Sequence, residues 1–248
     1  MLKKQLFYLT LVCFSCTTNI KDADEIINKS IEVSGGEFIA HSIIQFDFRD
    51  KHYKAKREDG IYQFERMFKD SIGTVHDVLN NNGFKRLVDS QRIEISNVKE
   101  KAYTSSVNSV HYFSVLPFGL HDKAVNKSYV GNIEIKGKLY LKIHVSFNEE
   151  GGGEDFDDKF IYWVNAQNYK VDYLAYSYSE NSGKGFRFRE AYNERYIKGI
   201  RFVDYKNFKP QEENIVLENM DNLYLNNKLE LLSVIELKNI NVDSLAIQ

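Results

Sequence analysis

Between Phe156 and Pro210 the chain sets apolar side chains mostly at every second residue, in runs broken by Asn and Gly. Just upstream, Leu139, Leu141, Ile143, Val145 and Phe147 alternate with Tyr140, Lys142, His144 and Ser146. A period of two belongs to strands, and an apolar set facing a polar one belongs to an antiparallel sheet with one covered and one wet face. Aromatic residues make up 14% of the 248 residues and there are only two prolines. That balance favours a sheet over a helix bundle, because flat rings pack well on a pleated surface. All-β folds of this length are commonly one domain.

The rest of the chain places helices around this sheet. Asp22 to Ser34 carries Ala23, Ile26, Ile27, Ser30, Ile31 and Ser34 on one stripe and is ended by Gly35-Gly36. Strands are predicted over His41–Asp50, His52–Glu58, Ile61–Phe68, Ile72–Leu79 and Gly83–Ser90, with Gln91–Ile95 as an extension. Asp59-Gly60 and Asn80-Asn81-Asn82-Gly83 read as hairpin turns. The period then changes: Val98, Ala102, Tyr103, Val107, Val110, Phe113 and Leu116 recur at helical spacing, after a capping-box-like Asn97 and Glu100 and before Pro117 and Gly119. Beyond the polar loop His121–Ser128, strands are predicted over Tyr129–Ile135, Leu139–Phe147, Phe160–Val164, Tyr169–Tyr178, Phe186–Glu194 and Tyr196–Tyr205. Glu213–Met220 and Lys228–Leu237 follow as two more. The expected fold is mainly β with helices (α+β): one large curved antiparallel meander over residues 22–248, covered by one or two helices, chiefly the helix near Val98.

The first residues read as a targeting segment. Lys3 and Lys4 precede an apolar run from Leu6 to Ser15, the length of a secretory signal and too short to span a bilayer. Cys16 follows, and the junction resembles the lipobox of bacterial lipoproteins. The resemblance implies a signal peptide over 1–15, an acylated Cys16, a tether over 16–21, and attachment to a membrane without crossing it. The absence of Asp directly after Cys16 resembles lipoproteins of the outer membrane. Cys13 and Cys16 also spell C-x-x-C, but in a signal sequence and not after a strand, so no redox pair or thiolate cluster is expected in the mature chain.

Several function classes are disfavoured. The formal net charge of −2 supplies no basic footprint for nucleic acid. The six histidines show no metal-ligand spacing, and neither a nucleophile elbow nor a phosphate-cradling glycine motif occurs, so no metal, cofactor or catalytic residue is assigned. His121-Asp122 is the one pair suited to acid–base chemistry. Glu154, Asp155, Asp157 and Asp158 form an acidic loop whose spacing is not that of a calcium-binding helix–loop–helix. Arg187, Arg189, Arg195 and Arg201 share parity in adjacent strands. They either present guanidinium groups to a carboxylate or phosphate, or pair with Glu190, Glu194 and Asp204 on a wet face.

Tyr112-Phe-Ser-Val-Leu-Pro-Phe-Gly-Leu120, Gly137 to Phe147, Phe160-Ile-Tyr-Trp163 and Phe186-Arg-Phe-Arg-Glu190 resemble a family of uncharacterised bacterial lipoproteins over roughly Phe38 to Val242. The order of elements is also similar to the LolA/LolB-type half-barrel of lipoprotein carriers. That second resemblance implies a sheet curled around an apolar hollow. Phe186, Phe188 and Tyr192 would form one wall, Ile143, Val145 and Phe147 another, and Val107, Val110 and Phe113 a cover. Periodicity alone does not separate such a hollow from a filled core. The expected function is a membrane-anchored, non-enzymatic cell-envelope protein that binds or carries a lipid or other apolar ligand. The alternative is a periplasmic or surface hydrolase, or a glycan-binding module using Trp163 and tyrosines.

Overall fold

A computed structural model describes residues 22–151, 156–180, 183–212 and 215–245. Its first helix, α1, spans Ala23–Val33 and buries Ala23, Ile26, Ile27 and Ser30, the stripe their spacing demands. Asp22 caps it, its carboxylate accepting from the Asp24 N–H at 2.9 Å. Gly35 then adopts a φ of 84°, and a Cβ there would lie 2.2 Å from the carbonyl oxygen of Gly199. Conformation and the approach of a neighbouring turn both require glycine at this position. A short helix, α2, follows over Gly36–Ala40.

Six strands come next: β1 (Ser42–Phe48), β2 (Lys51–Glu58), β3 (Ile61–Asp70), β4 (Gly73–Asn80), β5 (Gly83–Val88) and β6 (Gln91–Ile93). The long helix α3 (Asn97–Ser114) and a 3-10 turn (Phe118–His121) lead to β7 (Val125–Ile135), β8 (Lys138–Phe147), β9 (Lys159–Asn165), β10 (Val171–Glu180), β11 (Gly183–Ile197) and β12 (Ile200–Pro210). A second 3-10 turn (Leu217–Asn219), α4 (Met220–Leu225), β13 (Leu229–Ile235) and β14 (Lys238–Ser244) follow. The fold is mainly β with helices, as expected, but the meander is divided into two seven-stranded antiparallel sheets that do not close into a barrel. The first has the order β14-β1-β2-β3-β4-β5-β6 and the second β13-β12-β11-β10-β9-β8-β7. β14 returns from the end of the second sheet to pair with β1, Val242 opposite Ile44.

Tight turns set the register. Asp59-Gly60, Lys136-Gly137 and Lys198-Gly199 each have positive φ at both residues, the twist that suits a two-residue hairpin. The last of these moves Tyr196 out of the strand predicted for it and into β11. Other boundaries also differ. β7 begins at Val125, inside the predicted loop, and α3 starts after Ser96, which makes no side-chain cap bond, so the Asn97/Glu100 capping arrangement does not form. The strand predicted over Glu213–Met220 is instead the 3-10 turn and the start of α4, with Glu213 and Asn214 outside the described residues. Leu217, Met220 and Leu223 recur at threes, and that spacing turns all three onto the second sheet.

The two sheets are covered differently. The second is buried on both faces, so that Phe160 to Asn165 of β9 are buried without a break. On one side Ile143, Val145, Phe160, Tyr162 and Leu174 meet Ile26 and Ile27 of α1. On the other, Ile161, Trp163, Tyr173 and Phe188 meet Leu217, Met220 and Leu223. Each of these large side chains contributes roughly 1.5–3 kcal/mol by leaving water. The first sheet has one covered face, under α3, where Val107 and His111 are fully buried. The cover expected from one or two helices, chiefly the one near Val98, is shared among three: α3 lies on the first sheet, and α1 and α4 lie on opposite faces of the second.

A buried ion group fastens α3. Asp77 on β4 is completely buried and accepts from Arg66 at 2.7 Å and from Arg86 at 2.6 Å, while Arg66 also donates to Ser106 of the helix at 2.7 Å. The Arg86 guanidinium lies 3.5 Å from the ring centre of Tyr103, another α3 residue. Removing the shared carboxylate strands two buried cations. Asp77→Ala is expected to cost about 3–5 kcal/mol in urea unfolding, whereas Ser106→Ala, which removes one helix-side bond, costs about 1 kcal/mol.

Candidate functional site

Because α3 is held down on the first sheet and reaches the second only through Tyr112 and Phe113, the space between them is only partly filled. A cavity of about 1140 Å³ lies there. The helix turns Ser105, Asn108, Ser109, Tyr112 and Phe113 toward it, the second sheet supplies Tyr176, Arg189, Tyr205 and Asn207, and the first supplies Arg57, Tyr62 and Phe64. Aromatic rings build its wall: Phe160 stacks on Tyr176 at 5.3 Å between centres, and Phe113 lies 5.5 Å from Tyr176. The hydroxyls of Tyr112 and Tyr162 share a hydrogen bond of 2.9 Å, and burial pushes both phenols upward, so neither ionises near neutrality.

The residues expected to line a hollow divide into three sets. Val110, Phe113 and Phe147 border the cavity. Val107 is fully buried against Leu79 and Phe84 of the first sheet, and Ile143 and Val145 are fully buried in the core under α1. Phe186, Phe188 and Tyr192 lie on the opposite face of the second sheet: Phe186 and Phe188 pack with the α4 cluster, and Tyr192 donates to Glu236 at 3.0 Å. Pairing explains this. Leu174, an inward residue of β10, stands opposite Arg189, so the odd-numbered side chains of this part of β11 point inward and the even ones outward.

The inward residues include two arginines. Arg57 follows Tyr53 and Ala55 on the inner face of β2 and is 7% exposed. Its guanidinium lies 4.7 Å from the Phe64 ring centre and 6.0 Å from that of Phe118, and among the described residues no carboxylate pairs with it. Burial alone pushes it down to about 10 from the usual 12.5. Arg189 lies 3.9 Å from the Phe113 ring centre and donates to the Tyr176 hydroxyl at 2.9 Å, while its buried Nε has no partner among the described residues. The other arginines of the expected set are occupied: Arg195 by Asp204 at 3.0 Å, Arg201 by Asp172 at 3.4 Å, and Arg187 by the Phe186 carbonyl at 2.8 Å. Arg57 was not singled out by the sequence reading, although its parity with Tyr53 and Ala55 marks it as inward-facing.

His121, Asp122, Asp157 and Asp158 border the same cavity. The His121 ring is hydrogen-bonded through Nδ1 to the Phe118 carbonyl, and Asp157 accepts from Ser179 at 2.6 Å. Glu154 and Asp155 lie outside the described residues, and so does Cys16. Trp163 is fully buried, with its indole N–H on Asp221 at 3.2 Å, so it has no open face for a sugar ring. Among the described residues no group of three or more His, Cys, Asp or Glu side chains is arranged to hold a metal ion, and no helix is long and apolar enough to cross a membrane.

His111 lies behind the cavity-lining Tyr53 and Phe64. It is fully buried among Phe46, Tyr53 and Phe64, and its Nε2–H donates to the Glu65 carbonyl at 3.1 Å. Burial first, and then the nearby Arg57 charge, pushes the ring down from 6.5 to about 3. The unfolded chain therefore takes up a proton on this ring as pH falls through 6.5, while the folded chain does not until about 3. The stability held by the neutral ring is complete above 6.5 and is lost progressively on acidification. Urea unfolding is expected to lose about 2 kcal/mol between pH 7 and pH 5 from this group, and His111→Phe, whatever its stability at pH 7, lacks that increment.

Comparison with solved structures places the architecture. A LolA superfamily protein from Nitrosomonas europaea superposes with a TM-score of 0.51 at 12% identity, covering 91% of this chain and 94% of the other, which shows a shared fold. A DUF1329 family protein from Desulfovibrio piger (TM-score 0.45, 9% identity, 89% of this chain and 93% of that one) is also similar. So is a putative outer membrane lipoprotein-sorting protein domain from Vibrio parahaemolyticus (0.43, 9% identity, 82% and 99%). No curated protein matches the sequence. A family model matches residues 3–237, and the chain belongs to that family, described as a family of unknown function (DUF6503).

Proposed function

We propose that this is a bacterial cell-envelope protein, attached to the outer membrane through an acylated Cys16, that holds the hydrocarbon part of a lipid or another apolar ligand between α3 and the second sheet without catalysing a reaction. The observation that carries this is the cavity itself. Its volume of about 1140 Å³ is at the upper end of ligand pockets, and rings from a helix and a sheet line it. The aromatic part of this space gains from an acyl chain that replaces water. The fold shared with the LolA superfamily protein supports the reading, as does the Leu6–Cys16 junction.

The processing expected from the sequence, with a signal over 1–15, a tether over 16–21 and one domain over 22–248, belongs to the same proposal. Native mass spectrometry of protein purified without detergent is expected to show a lipid-bound species. Ser109→Trp, which projects an indole from α3 into the cavity, should reduce that species with little change in melting temperature. A chain that carries no lipid and takes none up from vesicles would sink the reading. Cys16→Ser should move the protein from the membrane to the soluble fraction.

A second reading, a hydrolase centred on His121, is favoured by one observation: His121, Asp122, Asp157 and Asp158 border the cavity together with Phe147 and Tyr178. It requires ester-cleaving activity that His121→Ala abolishes.

A further inference from the structure

Two cations face this cavity without anions, one from each sheet. Arg57 and Arg189 are 7% and 8% exposed, and among the described residues neither has a carboxylate partner. Elsewhere the protein treats its buried arginines differently, with Arg66 and Arg86 sharing Asp77 and Arg201 reaching Asp172. A guanidinium out of water is costly unless it is paired, so the demand for negative charge is unmet at these two side chains, although aspartates border other parts of the cavity. The geometry suits a specific kind of partner. An aromatic ring lies close to each guanidinium, Phe64 at Arg57 and Phe113 at Arg189, which leaves the N–H edge of Arg57, and the N–H groups of Arg189 not given to Tyr176, for bonding to a carboxylate or phosphate. Of the bordering carboxylates, Asp50, Asp122 and Asp157 are exposed, where water and salt screen them, and Asp158 is half-buried, engaged elsewhere and paired with neither Arg57 nor Arg189 among the described residues.

Resting on the reading of the cavity as an acyl site, we propose that it selects amphiphiles whose headgroup carries a carboxylate or phosphate, and that Arg57 and Arg189 recognise that anion. The hydrocarbon tail takes the aromatic space beside Phe160 and Tyr176, and the headgroup takes the guanidinium edges.

The test uses the full chain carrying Cys16→Ser, freed of co-purified lipid, and calorimetric titration with three ten-carbon probes: decanoate, decyl phosphate and decanol. Both anions are expected to bind at least about tenfold tighter than decanol, the scale of one charge-assisted hydrogen bond. Tighter binding of decanoate points to a free fatty acid as the source of the headgroup, and tighter binding of decyl phosphate to a phospholipid. Arg57→Gln or Arg189→Gln should narrow the anion-to-alcohol ratio while leaving decanol affinity unchanged, with a melting temperature at or above that of the parent chain. Equal affinity for all three probes overturns the anion proposal and leaves the acyl site standing. Binding of none overturns both. A fall in melting temperature with the wild-type ratio retained would assign the arginines to structure alone and also overturn the proposal. The probe preference of the unsubstituted chain is informative even where a variant fails to fold.

Discussion

Two curved sheets present more inward surface than the available helices can cover, and the placement of α3 decides where the shortfall lies. The helix gives most of its length to the first sheet and only Tyr112 and Phe113, near its C-terminal end, to the second. Val107 and His111 bind it to the first, and the Arg66–Asp77–Arg86 group, through Ser106 and Tyr103, keeps it there. α1 covers one part of the second sheet's inner face with Ile26 and Ile27, Tyr112 and Phe113 of α3 pack against Phe160 and Tyr176, and the remainder, around Tyr205 and Asn207, borders the cavity opposite the back of α3. That back is polar, with Ser105, Asn108 and Ser109, the composition of a surface meeting water or a ligand and not a packed core.

The strands were largely legible because their signal is local. Alternation and hairpin turns such as Asp59-Gly60 and Lys136-Gly137 need no knowledge of what lies across the sheet. α4 and β14 were not. Lys238–Ser244 is a short polar segment that becomes a strand because β1 offers it an edge. Leu217 to Leu225 becomes helical where the outer face of the second sheet needs a cover. Tertiary context overrides weak local preference in both.

The site was legible in part, and each displacement has a geometric cause. Val107, Val110 and Phe113 read as one stripe, yet at 3.6 residues per turn Phe113 lies about 120° around the helix from Val107. Val107 therefore meets the first sheet, and Phe113 turns toward the cavity. In β11 both parities carry large side chains, and because the second sheet is buried on both faces, apolar character could not say which side was inward. The aromatic set, Phe186 and Phe188, went outward to α4, and of the arginine set Arg189 went in to the cavity. The stretch from Phe156 to Pro210 is thus a wall, and its polar parity supplies the feature that distinguishes the cavity from a core.

The charges within that wall are coupled. Arg57 is one reason His111 resists protonation, since a proton on the ring would place two cations side by side in a desolvated corner. An anion held at Arg57 would relieve that repulsion and the desolvation of the guanidinium together. Under the proposed function, binding of an anionic amphiphile would draw affinity from both effects and would stabilise the fold by mass action. Occupancy and proton uptake at His111 would then be linked through the same guanidinium. A neutral lipid, filling the aromatic space but leaving Arg57 bare, would recover only the hydrophobic part of that free energy.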